Sequence, residues 1–169
     1  MMPAVFFDRD GVLNEEKGYV YKKEDFVWMP GAIEAIKFLN QHGYYVFVVT
    51  NQSGVARGYY TNAEVEALHT YMQEQLAFHD AKIDKFYYCP HHPDFTDACS
   101  CRKPEPGMIK QGLAEFDVDK ARSFLLGDKK RDLEAARNAG ITGYLFKEGN
   151  LLEKICEILK NQEGFNENI

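Results

Sequence analysis

Five short apolar runs, each closing on polar residues, alternate with stretches of helical periodicity, and this alternation constrains the fold more than any other feature. Ala4-Val5-Phe6-Phe7 is apolar throughout and stops at Asp8, the pattern of a strand buried on both faces. Tyr44 to Val49 is β-branched and aromatic and ends at Thr50. Ile83 to Tyr88, Ser123 to Leu126 and Ile141 to Phe146 supply three further strands. Ile33, Ile36 and Leu39 follow Pro30-Gly31 at helical spacing, with His42-Gly43 as the stop. Val65, Leu68, Met72 and Leu76 form one stripe behind Thr61 and Glu64, a capping-box pair. Ile109, Leu113 and Phe116 follow Pro106-Gly107, Leu133 to Ala139 runs into Gly140 as a C-cap, and Leu151 to Leu159 gives a last helix. The alternation predicts an α/β fold: a three-layer, Rossmann-like, doubly wound parallel sheet with helices on both faces. Residues 1–160 are expected to form a single domain, with Asn161 to Ile169 a frayed polar tail.

A chain of 169 residues suits one domain, and 45% hydrophobic with 14% aromatic residues is enough for a packed core. Twenty Lys+Arg against 26 Asp+Glu leave a formal charge of −6, which argues against a general nucleic-acid or membrane-surface binder. No apolar run approaches the roughly 20 residues that span a bilayer. The opening MMPAVFFDRDGV lacks a signal-peptide pattern, so a cytoplasmic location is expected.

In a doubly wound sheet, ligands bind beyond the carboxyl ends of the strands. Strand one ends in Asp8-Arg9-Asp10-Gly11, two carboxylates that can share one site or form a plain surface turn. Strand two ends in Thr50-Asn51-Gln52-Ser53-Gly54, a hydroxyl and a Gly-containing loop able to hold phosphate oxygens. Strand four ends in Gly127-Asp128, a magnesium ligand or a helix cap. Lys103 lies between these elements. Nucleophile, hydroxyl, lysine and acid together are the inventory of phosphoryl transfer.

Asp8-x-Asp10-Gly-Val, Thr50 after its strand, Lys103 in Arg-Lys-Pro and Gly127-Asp128-x-x-x-Asp132 resemble the four motifs of the haloacid-dehalogenase-like phosphatases. Phe7 to Val12, Gly18-Tyr19-Val20, Thr50 to Gly58 and the run from Cys89 to Met108 narrow the resemblance to the branch that acts on heptose bisphosphates. It implies that Asp8 attacks phosphorus, that Asp10 is the general acid and base, and that Thr50 and Lys103 hold the phosphoryl group. Magnesium would sit between Asp8, the Asp10 carbonyl and Asp128. Substrate contacts would fall on Glu16, Lys17, Gly18 and Tyr19, on Thr50, Asn51, Gln52 and Ser53, and on Arg102, Lys103 and Lys129. Arg57 adds a charge that could answer a second phosphate. The implied reaction removes the 7-phosphate of a heptose bisphosphate, in the synthesis of activated heptose for lipopolysaccharide or S-layer glycan. A sugar phosphate is the expected partner of a monomeric enzyme.

Cys89, Cys99 and Cys101 cluster in one stretch beside His91 and His92, while Cys156 stands apart as a core-facing residue. Three thiolates and one imidazole close a tetrahedral zinc shell, whereas the alternative is a set of buried thiols. Spacing leaves both histidines open; the resemblance favours His91. Such zinc would be structural, holding the loop that presents Arg102 and Lys103. His42, His69 and His79 are expected to be solvated. Only 39 residues separate Asp10 from Thr50, so the fold is expected to lack a cap domain and to leave the site open. The rival readings are a histidinol-phosphate phosphatase, whose domain is similar, a phospho-accepting receiver domain, and a zinc-stabilised binding module.

Overall fold

A computed structural model describes residues 1–162; residues 163–169 of the expected tail lie outside the described residues. The strands are β1 (Ala4–Phe7), β2 (Tyr45–Asn51), β3 (Lys85–Cys89), β4 (Phe124–Gly127) and β5 (Thr142–Leu145). The helices are α1 (Ala32–Gln41), α2 (Asn62–Ala77), α3 (Gly107–Glu115), α4 (Lys130–Ala139) and α5 (Leu151–Lys160). All strand pairs are parallel, in the order β3-β2-β1-β4-β5. The chain reverses its direction of winding at β1, so the crevice beyond β1 and β4 is the natural place for a ligand.

Alternation along the strands divides the core into two layers. Val5, Phe7, Val46, Val48, Phe124 and Leu126 face α1, α2 and α5, while Ala4, Phe6, Phe47, Val49 and Leu125 face α3 and α4. Every residue of β1 is buried, which is why its sequence reads as continuous apolar chain. Filling one such site with a Phe or Leu stabilises the fold by about 1.5–3 kcal/mol. Thr61 and Glu64 make the reciprocal cap of α2, and Gly140 closes α4 in the left-handed conformation.

Some boundaries move for physical reasons. β2 continues through Thr50 and Asn51 because Thr50 and Asn51 still pair with Tyr88 and Cys89 of β3. β3 starts at Lys85, two residues later than expected, because the Asp84 carboxylate accepts the Val46 N–H at 2.8 Å in place of a ladder partner. α4 starts at Lys130, three residues early, because Asp132 accepts the Lys129 N–H at 3.0 Å and caps the first turn. His69 is buried on α2 instead of solvated, and Cys156 is only half-buried. Among the described residues, a 3-10 turn and α1 are all the helix between Asp10 and Thr50, and α2 is all of it between Thr50 and Lys103. Among the described residues, no folded cap covers the carboxyl end of the sheet, and no helix is long and apolar enough to cross a membrane.

Candidate active site

Asp8 is the first residue after β1 and remains on its register, its N–H donating to the Leu126 carbonyl at 3.0 Å. Its side chain is buried, and Oδ1 accepts from Lys103 Nζ at 2.9 Å. Lys103 is itself only 2% exposed. Its ammonium also donates to the Val49 carbonyl at 2.9 Å and lies 2.6 Å from Asp132 Oδ1. A buried ammonium needs such partners, since an isolated one would be neutralised. Asn51 fixes the lysine from behind: its amide accepts the Lys103 N–H at 3.0 Å and donates to the Lys103 carbonyl at 3.2 Å. Burial pushes the Asp8 carboxyl up to about 8, opposed by Lys103 and reinforced by Asp132 and Asp10. The same two carboxylates Asp8 and Asp132 outweigh burial at Lys103 and raise its ammonium above the ordinary value.

Asp8, Asp128 and Asp132 bring carboxylate oxygens within 4.8 Å of one another. Asp128 does not cap α4, the role Asp132 takes; its Oδ1 is buried and has no hydrogen-bond partner. An orphaned carboxylate oxygen facing two others is a set of hard donors suited to magnesium. Gly11 makes room for it. A Cβ there would stand 2.2 Å from Asp128 Oδ2, and the backbone at φ +91° also favours glycine.

Asp10 lies at the edge of the cleft, and its carboxylate is held by four N–H donors. Arg9 forks onto it, Nε to Oδ1 and Nη2 to Oδ2, both at 3.2 Å. Asn14 donates to Oδ1 at 2.8 Å and Gln52 to Oδ2 at 3.2 Å. Gln52 also donates to Thr50 Oγ1 at 2.9 Å and accepts from the Tyr60 hydroxyl at 2.6 Å. The second acid of the strand-one pair is therefore joined to the strand-two hydroxyl through one amide.

These groups form the floor of a cleft of about 260 Å³. Of the residues expected at the substrate, Glu16, Gly18, Tyr19, Thr50, Asn51, Gln52, Ser53, Arg57, Arg102, Lys103 and Lys129 all line it. Lys17 does not; its ammonium points away, 4.0 Å from Glu15. Lys103 is not a free arm in the cleft but a buried brace against Asp8. A chain of net charge −6 thus gathers Arg57, Arg102, Lys129 and Arg131 around one opening.

Cys89 closes β3, and His91, Cys99 and Cys101 follow in the adjoining loop, their four ligand atoms within 4.8 Å of one another. His91 Nδ1 lies 3.5 Å from Cys89 Sγ and 3.3 Å from Cys101 Sγ. The second imidazole, His92, turns instead to Arg57, with Nε2 3.3 Å from Nη2. The slight burial of Cys99 is outweighed by the N–H groups of Arg102 and Cys101, which pull its thiol down to about 7; burial raises Cys89 and Cys101. Three sulfurs and one imidazole are a soft, closed donor set of the kind tetrahedral zinc takes. The loop also carries Arg102, whose Nη1 donates to the His91 carbonyl at 3.2 Å.

Several participants escape sequence reasoning. Asp132 stands in the strand-four motif, and its i, i+4 spacing from Asp128 at a helix start was the available signal. Arg131 lines the cleft without a motif to mark it. Arg9 has no periodic signal at all, since a charged residue beside two aspartates reads as solvated.

The haloacid dehalogenase-like hydrolase model matches residues 5–85, and a model described as HAD-hydrolase-like matches residues 100–162. The chain is 49% identical over 150 residues to the D-glycero-beta-D-manno-heptose-1,7-bisphosphate 7-phosphatase of Rhodopseudomonas palustris, covering 86% of this chain and 83% of that one. The enzyme of the same name from Salmonella typhi is 43% identical over 145 residues, covering 83% and 77%. Among solved structures, the D,D-heptose 1,7-bisphosphate phosphatase of B. bronchiseptica, complexed with magnesium and phosphate, superposes with a TM-score of 0.80. It is 37% identical, over 98% of this chain and 89% of that one. The chain belongs to the haloacid-dehalogenase-like hydrolases, and within them to the phosphatases.

Proposed function

We propose that the chain removes the 7-phosphate of D-glycero-β-D-manno-heptose 1,7-bisphosphate through a phosphorylated Asp8. The observation that carries this reading is one cleft with two ends. Buried Asp8 braced by Lys103 forms its floor, and Arg57, Arg102 and Lys129 crowd its mouth, where a second phosphate would meet them. The relatives named for this substrate support the choice.

In the first half-reaction an Asp8 carboxylate oxygen attacks phosphorus, and the bond from phosphorus to the sugar oxygen breaks. The departing oxygen takes a proton from Asp10. In the second, Asp10 takes a proton from water, whose oxygen attacks the same phosphorus. The acyl-phosphate bond breaks, releasing inorganic phosphate and restoring Asp8. The Thr50 hydroxyl and the charge of Lys103 offset the transferred oxygens. Asp8 and Asp128, with the Asp10 carbonyl, would hold magnesium, and the orphaned Asp128 oxygen supports that assignment. A bound magnesium ion supplies positive charge for the phosphoryl oxygens and a fixed template for their approach. Cys89, His91, Cys99 and Cys101 would hold zinc, whose role is to fix the loop bearing Arg102.

The test is phosphate release, with magnesium present, from the heptose bisphosphate and from histidinol phosphate. The bisphosphate should win in kcat/KM by roughly a hundredfold, about 2.7 kcal/mol, the scale of a charged hydrogen bond that histidinol phosphate cannot make to the cations at the mouth. Equal or better turnover of histidinol phosphate would overturn the assignment.

A further inference from the structure

Arg9 has no part in the chemistry described so far, yet it is wholly buried, the largest side chain among the described residues to be so. Its guanidinium makes the fork to Asp10 and, from Nη2, a 2.6 Å bond to the Val20 carbonyl. Val20 is the buried root of the rim segment in which Tyr19 reaches the cleft at φ 53°, a left-handed conformation that a tyrosine rarely adopts. From the far side, Nη1 lies 3.3 Å from His69 Nε2. An arginine can only donate, so this imidazole nitrogen must accept, which fixes His69 as the neutral tautomer. The His69 ring is itself immobilised, stacked on Phe86 at 4.3 Å and edge-on to Tyr88 at 5.9 Å.

We infer that Arg9 and His69 are positioning residues: the fork aims the Asp10 carboxylate and ties it to the Glu16–Tyr21 rim, while His69 holds the fork in plane. The inference rests on the phosphatase reading and adds to it a residue on α2, outside every motif. A planar guanidinium gripped by an acceptor on each side has one orientation available to it. Without the imidazole, one N–H faces ring carbons and the plane is free to tilt. A tilt displaces the Asp10 carboxylate, the group that serves the leaving oxygen and the incoming water. The Asp8–Lys103 brace shares no side-chain hydrogen bond with it, and the Arg9 backbone N–H that donates to Asp8 Oδ1 at 2.9 Å does not depend on where the guanidinium lies.

That separation supplies a readout that a general loss of structure would not reproduce. A sugar oxygen must be protonated as it leaves, whereas nitrophenolate leaves without help. In a single turnover, His69→Leu should therefore slow phosphorylation of Asp8 by the heptose bisphosphate by about 10²-fold, the scale of losing a placed general acid. The burst of nitrophenolate from p-nitrophenyl phosphate should slow by less than about threefold, while the hydrolysis step that both substrates share slows equally for both. His69→Gln, whose amide oxygen can accept from Arg9, should recover most of the difference. Arg9→Lys keeps the charge without the fork and should give the same selective loss, so the inference stays testable if His69→Leu fails to fold. Equal losses in the two phosphorylation rates of folded protein, or no recovery with Gln, would overturn the positioning role. A wild-type protein that hydrolyses neither substrate would instead overturn the phosphatase reading.

Discussion

Asp8, Thr50 and Lys103 sit on or against parallel strands and are buried, whereas Arg57, Arg102 and Lys129 reach the same cleft from loops and stay partly or largely in solvent. The buried set is held by backbone register and by bonds of 2.6 to 3.0 Å, so each group has one position. The loop set is held by longer contacts, such as Arg102 to the His91 carbonyl at 3.2 Å and Arg57 beside His92 at 3.3 Å and over the Phe95 ring at 5.1 Å. The difference separates two demands on one site. Chemistry at phosphorus tolerates little displacement, and a rigid scaffold meets that need. Recognition of the rest of the substrate can be altered loop by loop while the chemistry is untouched.

The hardest way to test this contrast is to cut the buried set. Asp8→Asn should lower kcat by about 10⁴-fold or more, with the melting temperature unchanged or raised, because the amide removes a crowded negative charge. Substantial turnover by the variant would show that Asp8 is not the nucleophile. A weaker blow should come from the loop. Stripping the zinc proposed for the cysteine cluster, with magnesium kept in excess and metal loss verified, should lower kcat/KM on the bisphosphate by roughly tenfold, the scale of losing a supporting shell. Undiminished turnover after zinc removal would separate the cluster from the site.

The gentlest effect, read per unit of pH, is on stability. Burial, and then the Arg9 charge, lower His69 from 6.5 to about 3 in the folded protein. Between those values the unfolded chain takes up a proton that the native state refuses. Stability is therefore fully present above about pH 6.5 and falls as the pH drops, by at most about 1.4 kcal/mol per pH unit. Urea melts from pH 7 to pH 4 should show this slope in the wild type and a shallower one in His69→Gln. Parallel curves would mean that His69 is open to protons in the native state.

The fold was legible because the three central strands, β1, β2 and β4, are buried on both faces and each helix on one, so periodicity and burial coincide. Val5 and Phe6 read as strand from their neighbours alone. The sheet order was not legible, since nothing along the chain says that β1 lies between β2 and β4. The floor of the site was largely readable because chemistry concentrates at strand ends, and Asp8, Asp10, Thr50 and Asp128 lie there. Asp132 was legible as the last member of the strand-four motif but not in its role, because capping α4 and meeting Lys103 both rest on contacts made only in the fold. His69 was misread because an isolated histidine on a helix carries no mark of what packs above it. Phe86, Tyr88 and Arg9, which enclose it, come from distant parts of the chain.

With no folded lid over the carboxyl end of the sheet, the guest must serve as its own stopper. A bulky sugar spanning floor and mouth would shut bulk water out while the acyl phosphate forms, and its departure would admit the one molecule needed to finish the turnover. Short phosphate esters leave the door ajar throughout. Selectivity in such an architecture comes from how well a visitor plugs the opening, as well as from how tightly it is gripped.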